Sequence, residues 1–171
     1  MTSPVIIEDY DPLWPDQFEK LRAKIAAALD DLVAAIAHVG STAVPSLAGK
    51  PIIDIDVLLR SAADLPIAIT RLASRGYEYR GDLGIAGREA FRTPPNEVPH
   101  HLYVCPPNSP ELRRHIAFRD YLRTHPQDAA AYAALKRKLA SQYRSDREAY
   151  NQAKAGFVQN ILRRAGYPSA L

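Results

Sequence analysis

Along the first third of the chain the spacing of apolar residues changes twice, and each change marks an element. Trp14, Phe18, Leu21, Ile25, Leu29 and Leu32 recur at steps of three and four, which predicts one helix from about Trp14 to about Ala35 with a single core-facing stripe. Pro15 suits its first turn, and Asp16 and Glu19 sit at its positive end. Val5-Ile6-Ile7, ahead of it, predicts a short strand stopped by Glu8-Asp9 and the Pro12/Pro15 pair. Ile36–Val39 then reads as a strand entering a Gly40-Ser41 turn. Ile52–Leu59 is apolar except for Asp54 and Asp56, as expected of a buried central strand. Strand side chains alternate between faces, so the two carboxylates point one way and Ile53, Ile55 and Val57 the other.

The remaining pattern alternates helix and strand, then turns wholly helical. Ala63–Arg75 predicts a helix with Leu65, Ile69 and Leu72 inward and Gly76 as its C-cap. Tyr77-Glu78-Tyr79 begins a strand, and Gly81, Gly84 and Gly87 punctuate a loop. Arg88–Thr93 is a further strand ended by Pro94-Pro95. His100–Cys105 is another, with His101, Tyr103 and Cys105 on one face. Ser109-Pro110-Glu111 opens the first of three helices. The second starts at Pro126, and the third runs from about Asp146 to Arg164, before Gly166 and Pro168. These elements predict an α/β (α+β) fold, a mixed sheet flanked by helices. Residues 1–108 would form the sheet domain and 109–171 a helical segment packed on it, together one structural unit.

A chain of 171 residues can bury a real core. Its single cysteine, Cys105, excludes an intramolecular disulfide and suits a reducing cytosol. No apolar run reaches membrane-spanning length, and Met1-Thr2-Ser3-Pro4 lacks a signal-peptide pattern, so a cytoplasmic protein with no membrane partner is expected. Charge is divided unevenly. Residues 1–110 carry ten Lys and Arg against fourteen Asp and Glu, whereas residues 111–171 carry twelve against five. Solvated helix faces would account for this. So would rear helices that supply cations to a polyanion gathered at the front half.

Asp54 and Asp56 carry the sharpest chemistry. Two carboxylates on a buried strand require a cation, and an all-oxygen donor set favours magnesium over zinc. Gly40 admits close backbone approach, and Ser41 offers a hydroxyl beside its own N–H. Together they suggest a turn that grips terminal phosphates while the carboxylates hold magnesium at the α-phosphate. Gly49-Lys50 is not a phosphate loop, because Val44 and Pro51 replace its first glycine and its metal-binding hydroxyl residue. His100 and His101 face opposite ways, one expected inside and hydrogen-bonded. His101 or Tyr103 on the active face would touch phosphate or accept a proton. Arg147, Tyr150, Lys154 and Phe157 lie along one helix side, able to hold phosphates and stack a base or simply to edge the core. A hydrolase using Ser41 would need a G-x-S-x-G turn, which is missing.

The strings HVGSTAVPSLAGKPIIDIDVLL, YDPLWPDQFEKL, HHLYVC and FRDYL closely resemble the GrpB family, from Val5 to about Leu162. That family looks like part of the nucleotidyltransferase superfamily. The resemblance implies a sheet of nucleotidyltransferase type, with Gly40-Ser41 and Asp54-x-Asp56 matching its hG[GS]…Dh[DE]h signature. Gly40, Ser41 and Thr42 would contact nucleotide phosphates, with Lys50, Arg147, Tyr150 and Lys154 around them, and both Asp would bind magnesium. The superfamily's third carboxylate has no counterpart on the His100–Cys105 strand, which offers His101 or Tyr103; Glu89 is the nearest acidic residue. The family's His-Leu-His-Val is His101-Leu102-Tyr103-Val104 here, and some relatives are fused to dephospho-coenzyme-A kinase. The expected function is magnesium-dependent transfer of a nucleoside monophosphate from an NTP to a hydroxyl of a small acceptor. His101 or Glu89 would be the base. The alternative is a non-catalytic module binding a nucleotide or phosphometabolite, and an RNA terminus is a less favoured partner. A monomer or homodimer is expected.

Overall fold

The computed structural model of the chain describes residues 4–167, so Pro168 lies outside the described residues. Five strands form one mixed sheet in the order β1-β2-β5-β4-β3: β1 Val33–Val39, β2 Ile53–Leu59, β3 Glu78–Tyr79, β4 Glu89–Arg92 and β5 His100–Cys105. β2 and β5 run parallel, and the other neighbours are antiparallel. The helices are α1 Trp14–Leu29, α2 Leu65–Ala73, α3 Pro110–Thr124, α4 Pro126–Gln142 and α5 Arg147–Arg164.

The two faces of the sheet differ as the β2 alternation requires. Ile53, Ile55, Val57 and Leu59 join Leu102 and Val104 of β5 against α1 and α2, in one cluster with Trp14, Phe18, Ile25 and Leu72. The opposite face carries Asp54 beside His101 and Asp56 beside Tyr103, each pair in register across the parallel ladder. The three C-terminal helices cover this second face. Their own cluster, Tyr121, Leu122, Tyr132, Ala133 and Ile161, closes on Val44, Leu47 and Ala48 from the β1–β2 connection.

Two expected elements differ. The first helix stops at Leu29, because Asp30 takes φ +46° and residues 30–32 make a single 3-10 turn. Val33–Ala35 instead pairs with Leu58 and Leu59 of β2, tertiary pairing overriding the helix propensity of alanine. Val5–Ile7 is not a strand. Val5 N–H donates to Arg144 O at 2.9 Å, and Glu8 forms only an isolated bridge with Gly49, so the segment is fastened to the α4–α5 loop and the β1–β2 connection. No helix among the described residues is long and apolar enough to cross a membrane.

Candidate functional site

The turn after β1 is shaped by the carboxylate opposite it. Gly40 has φ +72° and ψ −170°, a region open essentially to glycine alone. A Cβ there would lie 2.2 Å from Asp54 Oδ2. α3 clamps the turn from both sides: Arg119 Nη1 donates to His38 O at 3.0 Å and Arg123 Nε to Ala43 O at 2.9 Å. Within the turn, the His38 ring stacks on Phe18 with centroids 4.5 Å apart and bonds Thr42 Oγ1 through Nε2 at 2.8 Å. Burial holds the His38 imidazole down at about 4, so the ring stays neutral.

Each aspartate of β2 is met by a histidine. His101 Nδ1 donates to Asp54 Oδ1 at 2.7 Å; a carboxylate only accepts, so the proton sits on Nδ1 and a neutral ring offers Nε2 as acceptor. His115 Nδ1, from α3, donates to Asp56 Oδ2 at 2.6 Å. Asp56 is fully buried, and among the described residues its Oδ1 has no hydrogen-bond partner. Tyr103, beside it, packs under the Arg88 guanidinium at 4.1 Å.

Asp54, His101 and Ser41 open on a cavity of about 190 Å³ whose walls carry Lys50, Lys136, Arg147 and Lys154, with Tyr150 and Asn151. Lys136 is 2% exposed. Its Nζ donates to Ser41 Oγ at 2.7 Å and to Ala48 O, and lies 4.5 Å from the Tyr132 ring centroid. Burial, reinforced by the charges of Lys154 and Arg137, lowers its ammonium to about 7. Burial and then Lys154 and Arg147 lower Lys50 to about 8, and Lys154 moves the same way, chiefly through burial.

Of the residues singled out in the sequence, Ser41, Lys50, Asp54, His101, Arg147, Tyr150 and Lys154 therefore line one cavity, with Gly40 packed against Asp54. Asp56 shares their face of the sheet but not the cavity wall. Thr42 is turned inward at 1% exposure. Tyr150 is also 1% exposed, with the Lys50 and Lys154 ammoniums 4.7 and 4.8 Å from its ring centroid. It offers no open face to a base. Phe157 stacks on Tyr132 in the helical core. Glu89 is not brought to the site. It is paired with Val104, so it faces the opposite side of the sheet, where it accepts from Tyr79 OH at 2.7 Å. His100 is the interior histidine: Nδ1 donates to Val98 O at 2.6 Å and Nε2 accepts from Tyr77 OH at 2.8 Å.

His115 and Lys136 were missed by sequence reasoning, although both carry a signal. His115 is three residues after the buried Leu112 and seven before the buried Leu122, and Lys136 is four after the buried Tyr132 and three before the buried Leu139. An ionisable residue in phase with an apolar stripe needs a partner inside.

Residues 4–164 match the sequence profile of the family described as GrpB protein. This chain belongs to the GrpB family. The UPF0157 protein YqkA of Bacillus subtilis is 35% identical over 150 residues, which are 88% of this chain but 44% of that protein. This GrpB chain thus spans under half the length of that relative. The crystal structure of conserved protein GrpB from Enterococcus faecalis superposes with a TM-score of 0.86 at 35% identity, covering 94% of this chain and 96% of that one. Cid1 in complex with the UTP analogue UMPNPP gives a TM-score of 0.56 at 12% identity, over 85% of this chain and 48% of Cid1. At that identity the likeness concerns the fold alone: the mixed sheet with its flanking helices is arranged as in that Cid1 structure.

Proposed function

We propose that this GrpB protein is a magnesium-dependent nucleotidyltransferase that moves a nucleoside monophosphate from an NTP to a hydroxyl of a small acceptor. One observation carries the reading: Ser41, Asp54 and His101 open on the same cavity as four cationic side chains. The acceptor oxygen attacks the α-phosphorus, the bond from phosphorus to the pyrophosphate oxygen breaks, and pyrophosphate leaves with that electron pair. The acceptor proton passes to His101 Nε2, with Asp54 holding the ring in orientation. Lys50, Lys136, Arg147 and Lys154 stabilise the charge that grows on pyrophosphate.

Magnesium fits this site as a companion of bound phosphates. Among the described residues no group of three or more His, Cys, Asp or Glu is disposed to hold a metal. Magnesium, however, commonly takes one or two carboxylates and completes its shell with phosphate oxygens and water. Asp54 and Asp56 would hold it, and the orphaned Asp56 Oδ1 is the oxygen that lacks a partner without it. When bound, it would supply Lewis-acid polarisation of the phosphoryl oxygens.

Pyrophosphate release from the four common NTPs, measured across a library of hydroxyl acceptors with magnesium, tests the assignment. Turnover that falls by about a hundredfold or more in Asp54→Asn and in His101→Ala is expected. Undiminished turnover in Asp54→Asn would refute it. A second reading, a non-catalytic nucleotide- or phosphometabolite-binding module, is favoured by β5 presenting His101, Tyr103 and Cys105, and no carboxylate, beside the two aspartates. It predicts saturable nucleotide binding with no pyrophosphate from any acceptor.

A further inference from the structure

The cavity walls hold more positive charge than the protein answers. Lys50, Lys136, Arg147 and Lys154 line it, and Asp54 is the one carboxylate in that lining. Among the described residues none of the four is within ion-pair distance of a carboxylate, whereas Arg137 and Arg164 on the same helices pair with Asp9 and Asp128. After burial, Lys154 and Arg147 disfavour the charge on Lys50, and Lys154, Arg137 and Lys50 disfavour it on Lys136, with Asp54 opposing them at both. A folded chain gains nothing by converging cations in this way unless an anion relieves them.

Each carboxylate, meanwhile, already has a donor on one of its two oxygens. His101 takes Asp54 Oδ1 and His115 takes Asp56 Oδ2. A cavity of about 190 Å³ is also smaller than the roughly 300 Å³ at which small-molecule pockets begin. Tyr150, the aromatic residue in its wall, is buried rather than open for stacking.

We propose that this cavity is a polyphosphate site that holds the linear phosphate chain of its ligand with no divalent cation and without reading the base. The proposal rests on the nucleotide reading above and divides its labour: the cations bind the chain, and magnesium serves only the transfer step. Ribose and base then project out of the cavity.

Calorimetric titration of the full chain tests this, using inorganic triphosphate, pyrophosphate, ATP and UTP, first in EDTA and then with magnesium. Triphosphate, ATP and UTP should bind in EDTA with affinities within a few-fold of one another, and pyrophosphate more weakly. Arg147→Gln and Lys154→Gln each remove a charge from α5, which at Lys154 lies over the Tyr150 ring. Each should weaken all three ligands by about tenfold, the usual loss for one charge-assisted hydrogen bond, with thermal unfolding of the free protein little changed. Binding of ATP only when magnesium is present would overturn the inference and leave the nucleotide reading standing. ATP binding without triphosphate binding, or unchanged affinity in both α5 variants, would also overturn it. No binding in either buffer would remove both readings together.

Discussion

Asp56 sets the strictest requirement at the scale of single residues, because a carboxylate at 0% exposure must be answered. His115 answers one oxygen. His115→Ala should therefore cost roughly 2 kcal/mol, the scale for leaving a buried acceptor without its donor. Urea unfolding would measure it, and a loss within experimental error would contradict the pairing. Gly40→Ala should cost on the order of 2 kcal/mol from backbone strain alone, with further loss because its Cβ meets Asp54 Oδ2. Lys136 makes a pH prediction. It is faced by Lys154 of α5, Arg137 of its own helix, Lys50 of the β1–β2 connection and Asp54 of β2. Its ammonium is lowered from 10.5 to about 7, so between those values the unfolded chain binds more protons and stability rises with pH. That gain is lost as pH falls toward about 7. Lys136→Met should flatten this part of the stability profile, and a curve parallel to wild type would show that folding does not lower the ammonium of Lys136.

At the scale of elements, the sequence was legible wherever periodicity and a stop signal agreed. β2 and β5 appear almost as the apolar alternation predicts, and α3 and α4 begin at Pro110 and Pro126. The segment around Ala34–Ala37 was not legible as a strand throughout, because alanine suits a helix equally and only pairing with β2 decides. Val5–Ile7 was misleading for a related reason: β-branched residues mark a buried edge without saying what covers it. The site divides in the same way. Gly40, Ser41, Asp54 and His101 stood out by local pattern, and the faces of β2 and β5 followed from a period of two. The Lys136–Ser41 and His115–Asp56 bonds join residues 95 and 59 positions apart, and such pairing exists only after α3 and α4 dock. That docking has its own handle. Arg119→Ala and Arg123→Ala release the carbonyls of His38 and Ala43. Combined, they should raise amide exchange through residues 40–43 while leaving β5 protected. Unchanged exchange would mean that the turn holds its shape unaided.

For the whole molecule, the charge division along the sequence becomes a division of tasks. The sheet and its connections bring the carboxylates, the tight turn and Lys50, and the C-terminal helices bring the other three cations of the cavity, the histidine for Asp56 and the cover for that face. We propose on this ground that residues 1–108 are not an independent folding unit. A chain ending at Asn108 would expose Asp56, Cys105 and Val44, all buried here, and should lose cooperative thermal unfolding; a sharp transition would contradict this. The account stands or falls on what enters the space between β2, α4 and α5. Two-dimensional amide NMR during titration with ATP and magnesium reads it directly. Saturable shifts centred on Ser41, Lys50, Asn151 and Lys154, which line that cavity, are predicted. Shifts confined to another hollow, such as the one bounded by Ser141–Asp146, or no saturable shift at all, would contradict it.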